Sequence, residues 1–395
     1  MNPASQPARV AIVGSGPSGC FTAQTLRKRL PDVRIDVFDS LPTPYGLIRH
    51  GIAPDHQGAK AVQRQFDRLF AQDGVRFVGN TRIGRDVALS TLLESFDAVV
   101  LATGLARDRG LGVPQDPAAR VIGAGELLRL LNSDPDTALR RAVPELGAEV
   151  AIVGTGNVAV DVARLLTKSA AELEASDIDD TALAALNTAA ITTIHILGRS
   201  GREQAKWDAS MLKELAAVGT VDLRLDGEPM NAAAAGAQVL IDVRFQQRIH
   251  AVDTDGEQTL LITHECGDPA RTRHFAVDTV ISAIGFDDVS ALGVPAGSSA
   301  HVFQVGGCHS GRLGNLAENR KLAATTAQAV ADHLTRHQLG RPGIDPASLT
   351  HPVFFDGWRR IEEAETGRAR PGRCRTKFTT RAELLAAART EEDTP

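Results

Sequence analysis

Two stretches of the chain repeat one pattern: a short unbroken apolar run, a glycine-rich break, then apolar positions at helical spacing. In the first, Val10 to Val13 lead into Gly14, Gly16 and Gly19, and a helical pattern follows through Leu30. The next apolar run, Arg34 to Phe38, ends at Asp39. In the second, Val150 to Val153 lead into Gly154, Gly156 and Ala159, then a helix. The run after it, in TTIHILGRS, ends at Arg199. Unbroken apolar runs are what strands covered on both faces of a parallel sheet require. The pattern predicts an α/β fold with two Rossmann-like dinucleotide-binding domains.

Three further segments fit that plan. DAVVLATG (Asp97 to Gly104) and DTVISAIGF (Asp278 to Phe286) each read as a buried strand running into a glycine turn, where the chain crosses between domains. From Ala296 to Gly314 the sequence offers a strand and a glycine-rich turn, and a helical run continues to His337. That turn fits either backbone amides on a cofactor or an ordinary loop. YGLIRHGIAPDH (Tyr45 to His56) holds two glycines, a proline and two histidines, so it sustains neither a helix nor a strand for long.

Composition narrows the class. With 395 residues, the chain suits two domains or one core carrying an inserted second. Its 43% apolar and 23% charged content is that of a soluble globular protein. A formal net charge of −5 argues against general nucleic-acid or anionic-membrane binding. Cys20, Cys266, Cys308 and Cys374 form no CxxC and no metal-ligand spacing, so reduced thiols in a cytoplasmic setting are expected. No apolar run approaches ~18 residues, and the N-terminus does not read as a signal peptide.

The chemistry follows from the breaks. In GxGxxG after a strand, one glycine makes the tight turn, one lets the backbone approach a pyrophosphate, and one lets helix and strand pack closely. Asp39, 20 residues past Gly19, can accept hydrogen bonds from a ribose. A lone GxGxxG is also an ordinary turn; strand, helix and terminal acid in register point to a dinucleotide. Arg199, where the second unit's acid is expected, favours a 2′-phosphate and hence NADP over NAD, against the alternative of an exposed strand-end arginine. Two units suggest one tightly bound nucleotide and one exchanged. A flavin with a nicotinamide is the usual combination, because a flavin accepts a hydride and releases single electrons.

These residues resemble the adrenodoxin-reductase type of ferredoxin–NADP reductase along nearly the whole chain. The matching segments are VGSGPSGCFTAQTL, PYGLIRHGIAPDH, GNTRIGRDV, GTGNVAVDVARLL, LEASDIDDTALAAL and DGWRRIEEAE. The resemblance implies FAD contacts at Gly14, Gly16, Ser18, Gly19, Asp39, Leu47 and Ile83. It implies NADP contacts at Gly154, Gly156, Asn157, Val158 and Arg199, with Ser200 beside them. It sets Gly307 to Leu316 along the flavin, with Gly314, Asn315 and Leu316 in that segment and Gly314 near the nicotinamide. His56 becomes the catalytic residue close to the ring, fixed by Pro54, and histidine is the side chain best suited to hold or pass a proton near neutral pH. An incidental surface histidine is the bland alternative; His50 receives no role. The implied domains are 1–106 for FAD, 107–287 for NADP and 288–395 for the rest of the FAD domain.

Three departures stand out. Ser200 replaces the second arginine of the 2′-phosphate clamp, so NADP preference is expected to weaken, with NAD as the alternative coenzyme. Met211 stands where the family has the glutamate that partners the loop histidine, with Glu214 one helical turn on. Gly307 replaces the tryptophan beside the flavin, so one side of the ring is expected to be open and Cys308 exposed there.

The resemblance implies a flavoenzyme passing hydride from NAD(P)H to FAD and single electrons to a ferredoxin-type iron–sulfur protein. One alternative is a reductase of a small organic or quinone acceptor entering at Gly307; another is a redox-sensing binding module that has lost turnover. An acidic ferredoxin needs a local basic face. Arg368, Arg370, Arg373, Arg375, Lys377 and Arg381, in a run without acids, form the candidate surface, with Arg244 and Arg248 as further candidates; a solvated loop is the plain alternative.

Overall fold

A computed structural model describes residues 7–72, 74–105, 107–230, 237–287, 292, 301–337 and 340–389. The chain forms two compact units. One holds Met1–Ile52, His56–Arg107 and Phe286–Pro395; the other holds Ala53–Asp55 and Asp108–Gly285.

In the first unit a five-stranded sheet has Arg9–Val13 at its centre. Arg34–Phe38 and then Val75–Val78 lie on one side, and Ala98–Leu101 and then Val302–Gln304 on the other, with every pairing parallel. The apolar runs are strands because both faces are covered. Val10 and Ile12 point into one buried cluster with the helix Pro17–Arg29, while Ala11 and Val13 point into the other. The first residues of the Ala296 to Gly314 segment lie outside the described residues. Its later part forms the strand Val302–Gln304, and the helical run after it forms Leu316–Arg336.

The second unit repeats the plan. Glu149–Val153 pairs in parallel with Thr193–Leu197 and Thr279–Ser282, and the sheet continues through Val239–Arg244 and Val221–Leu225 on one side and Val121–Gly123 on the other. Glu228–Pro229 adds a short antiparallel edge. A separate antiparallel sheet is built from Gln247–Thr254, Thr259–Glu265 and Asp268–Val277, and periodicity had singled out none of these strands. Its central strand Thr259–Glu265 alternates buried and half-buried positions, while Asp268–Val277 is mostly exposed, a weaker signal than an unbroken apolar run.

Candidate functional site

The first glycine turn is shaped by backbone proximity. Gly14 has φ +110°, and a Cβ there would lie 2.4 Å from the Ala102 carbonyl oxygen; one on Gly19 would lie 2.0 Å from that of Gly14. Gly16 is different. Nothing lies within 4 Å of where its Cβ would stand. It is the N-cap of Pro17–Arg29 and gives that helix no side-chain cap, so the first-turn amides face open space. Asp39 closes the neighbouring strand end, accepting from the Ser15 amide at 3.0 Å, the Ser15 hydroxyl at 2.5 Å and the Leu41 amide at 2.9 Å. Burial pushes its carboxyl above the usual range despite those bonds.

The second turn copies the first. Gly154 has φ +127° with a virtual Cβ 2.4 Å from the Ala283 carbonyl, and Gly156 again has open space and caps Asn157–Thr167 without a side chain. The third position is Ala159, fully buried. The Asn157 side chain is bound to Asp208, donating from Nδ2 and accepting from the Asp208 amide, both at 2.7 Å. Val158 is half-buried; Arg199 is exposed at the strand end and Ser200 half-buried beside it. The helix Ala209–Ala216 carries Met211 half-buried on this unit's core and Glu214 exposed.

The loop Tyr45 to His56 is held by segments far away in sequence. Tyr45 takes φ +83° and its amide donates to the Ser15 carbonyl at 3.1 Å, while a Cβ on Gly46 would come within 3.1 Å of Gly16 Cα. Leu47 thus starts a single helical turn, Leu47–His50, packed beside the first glycine turn. Arg49 is buried and pairs with Glu365 at 2.6 Å, and its guanidinium lies 5.0 Å over the Trp358 ring. Lys377 donates to the Arg49 carbonyl at 3.2 Å. Within the second unit, Asp55 pairs with Arg164 and, at 2.7 Å, with Lys168, and the Asp177 amide donates to the Pro54 carbonyl at 3.2 Å. His56 follows as the half-buried N-cap of Gln57–Lys60. Glu365, from DGWRRIEEAE, thus fastens Arg49 within the first unit, and Asp177, from LEASDIDDTALAAL, fastens Pro54 within the second.

The turn at Gly306 and Gly307 differs from expectation. Gly306 has φ +80°, and a Cβ there would meet Ser18 Oγ at 2.2 Å; Ser18 in turn donates to Asn319 Oδ1 at 2.8 Å, tying the two helix starts together. Gly307 is buried, and a Cβ would lie 2.9 Å from Leu105 Cγ and 3.3 Å from the Gly104 carbonyl carbon. Leu105 and the adjoining main chain therefore lie against the point where a side chain at this position would begin. Cys308 is half-buried with its thiol directed at the Leu101 and Val305 carbonyls, both 3.3 Å away, rather than exposed. Asn315 caps Leu316–Arg336 in a capping box with Glu318, and the Gly314 carbonyl accepts from Asn319 at 2.9 Å. Ile83 is buried in the first unit's core.

The basic run is likewise corrected. Lys377 is buried, Arg375 points at Glu362 and Glu365 at 3.3 and 3.9 Å, and Arg381 donates to the Ser40 carbonyl at 2.8 Å. Glu362 and Glu365 on the preceding helix, and the Arg49 and Ser40 carbonyls far off in sequence, draw them inward. Arg368 and Arg370 stay exposed, with Arg368 4.4 Å from the centre of the Phe378 ring, and Arg373 is half-buried. Arg49, Glu365, Asn319 and Leu105 were not singled out from sequence; only Arg49 carried a signal, as a charge inside an otherwise apolar loop turn. Among the described residues no group of three or more His, Cys, Asp or Glu is placed to hold a metal, and no helix is long and apolar enough to cross a membrane.

Comparison with known proteins adds three findings. Residues 8–302 match the pyridine nucleotide-disulphide oxidoreductase family. Cindoxin reductase of Citrobacter braakii is 34% identical, over 96% of this chain and 91% of its own, and the NADPH-ferredoxin reductase FprA of Mycobacterium leprae is 29% identical, over 95% and 97%. The solved structure of Mycobacterium tuberculosis FprA in complex with NADPH superposes with a TM-score of 0.88 at 27% identity, covering 97% of this chain and 99% of that one.

Proposed function

Because the chain belongs to the adrenodoxin-reductase-type ferredoxin–NADP reductases of the pyridine nucleotide-disulphide oxidoreductase family, we propose that it is an FAD-dependent NADPH:ferredoxin reductase. The first unit would hold FAD and the second NADPH, and the acceptor is a ferredoxin-type iron–sulfur protein. The observation that carries this reading is the pair of uncapped helix starts at Gly16 and Gly156, each at the carboxyl end of a central parallel strand and each with open space ahead. Dinucleotide pyrophosphates bind at such positions.

FAD, when bound, supplies the conversion of one hydride into two single electrons. The chain's own residues do the rest. Gly14, Gly16, Ser18 and Gly19 bring main-chain amides to one pyrophosphate, and Gly154, Gly156, Asn157 and Val158 bring them to the other. Asp39 holds a ribose, and Arg199 with Ser200 receives the 2′-phosphate. Leu47 and Ile83 bound the FAD space, and Gly307, Gly314, Asn315 and Leu316 line its far side. His56 holds or passes a proton near the reacting rings, and the fastened loop keeps it there. Cys20, Cys266 and Cys308 are unbridged thiols, as a cytoplasmic setting allows. Leu105 packed beside Gly307 counts against a small-molecule acceptor entering there.

The purified protein should be yellow, release FAD on denaturation, bleach with NADPH and reduce a ferredoxin faster than a panel of quinones. A protein that stays colourless with added FAD, or that reduces quinones alone, would overturn the reading.

A further inference from the structure

The turn after Thr193–Leu197 is pinned on two sides. The Gln247 amide donates to the Gly198 carbonyl at 2.9 Å and the Gln246 amide to that of Ser200 at 3.2 Å, while Cys266 Sγ lies 3.1 Å from the Arg199 carbonyl. Further on, the Lys206 amide donates to the Thr155 carbonyl at 2.9 Å, beside Gly156. The chain from Gly198 to Lys206 therefore runs along the second glycine turn. Next to it is a cavity of about 450 Å³, lined by Gly201, Arg202, Asp226, Arg244, Glu265 and Arg273 among others.

The charges lining this cavity are unequally satisfied. Asp226 accepts from the Phe245 amide at 3.1 Å, and Glu265 accepts from Arg271 at 3.4 Å. Arg244 donates its Nε to Asp242 at 2.7 Å. Arg202 and Arg273 have no carboxylate partner among the described residues, and both are exposed at the cavity. Two guanidinium groups from different parts of the fold thus reach one polar cavity beside the strand end where a Rossmann unit receives the adenosine ribose.

We infer that this cavity receives the 2′-phosphate of the adenosine ribose, with Arg202 and Arg273 supplying the cationic grip that Ser200 cannot. The inference rests on the second unit being the nicotinamide-nucleotide domain. A phosphate dianion is best held by two cations, and guanidinium groups offer paired donors matched to its oxygens. Preference for NADPH then does not depend on Arg199 alone.

The test titrates the purified full-length protein with 2′,5′-ADP and with 5′-AMP by calorimetry, for wild type, Arg202→Ala, Arg273→Ala and the double variant. Arg248→Ala, an exposed arginine outside this cavity, serves as the control for general charge. Wild type should prefer 2′,5′-ADP, and the double variant should lose about tenfold or more of that preference with 5′-AMP affinity unchanged. The inference is overturned if the double variant keeps the wild-type ratio, if Arg248→Ala lowers it equally, or if wild type shows no preference. Failure of the underlying reading has a different signature: neither NADPH nor NADH would bleach the flavin in the same preparation.

Discussion

Arg49 donates to Glu365 at 2.6 Å with the two side chains only 1% and 0% exposed, joining the loop after the first nucleotide-binding unit to the helix Phe355–Gly367. Trp358 from the same helix lies beneath the guanidinium, and its ring meets that of Tyr45 edge-on at 5.8 Å. Removing one partner strands a buried charge, so Arg49→Ala or Glu365→Ala should each cost about 3–5 kcal/mol in denaturant unfolding. The double variant Arg49→Ala with Glu365→Ala should cost clearly less than the sum of the two single changes. Additive losses in this cycle would mean the two residues act independently.

The glycines separate fold from ligand. Gly16 and Gly156 have φ of −67° and −106° and open space at Cβ, so alanine fits the protein at either place. Gly16→Ala should fold normally yet purify with FAD depleted, and Gly156→Ala should keep FAD while KM for NADPH rises. Gly19→Ala, forced against the Gly14 carbonyl, should lower the melting temperature itself. Absorbance at the flavin band and thermal melts of the three variants distinguish these outcomes.

Acid sensitivity should report Asp55. Burial opposes its charged form, but Arg164 and Lys168 more than offset this and hold its carboxyl below the usual range. An unfolded aspartate titrates at about 3.9, so the ionised pair contributes stability above that pH and loses it as pH falls through the lower folded value. The stability gap between wild type and Asp55→Asn should be flat from about pH 6 to 8 and shrink below about pH 4. A gap that widens on acidification would refute the pairing.

Gly307→Trp cannot simply restore a ring, because Leu105 occupies the approach. Overpacking there should cost about 1–3 kcal/mol, and Leu105→Ala in the same chain should recover part of it. If Gly307→Trp alone melts like wild type, the position is more open than the Leu105 contact implies.

The basic run should divide by orientation. Arg368→Glu with Arg370→Glu should raise KM for an acidic ferredoxin several-fold at low salt, and less at high salt, while NADPH-driven ferricyanide reduction is unchanged. Lys377→Ala should instead lower stability, since its ammonium is buried against the Arg49 carbonyl. Equal KM effects from all three residues would contradict this division.

The sequence by itself determined the two nucleotide units. Val10 to Val13 with Gly14, Gly16 and Gly19, and Val150 to Val153 with Gly154 and Gly156, encode strand, turn and helix locally, because apolar continuity and glycine's freedom act over a few residues. The tertiary structure decided which contacts hold each unit together and what packs beside its turns. No local pattern tells that Lys377 and Arg375 turn inward, that Glu365 meets Arg49 from 316 residues away, or that Leu105 packs against Gly307. A charge run reads as a solvated face unless some distant acid or carbonyl is brought within hydrogen-bonding reach, and a small residue reads as a gap unless a distant side chain is packed into it. Both depend on contacts that only the closed fold creates.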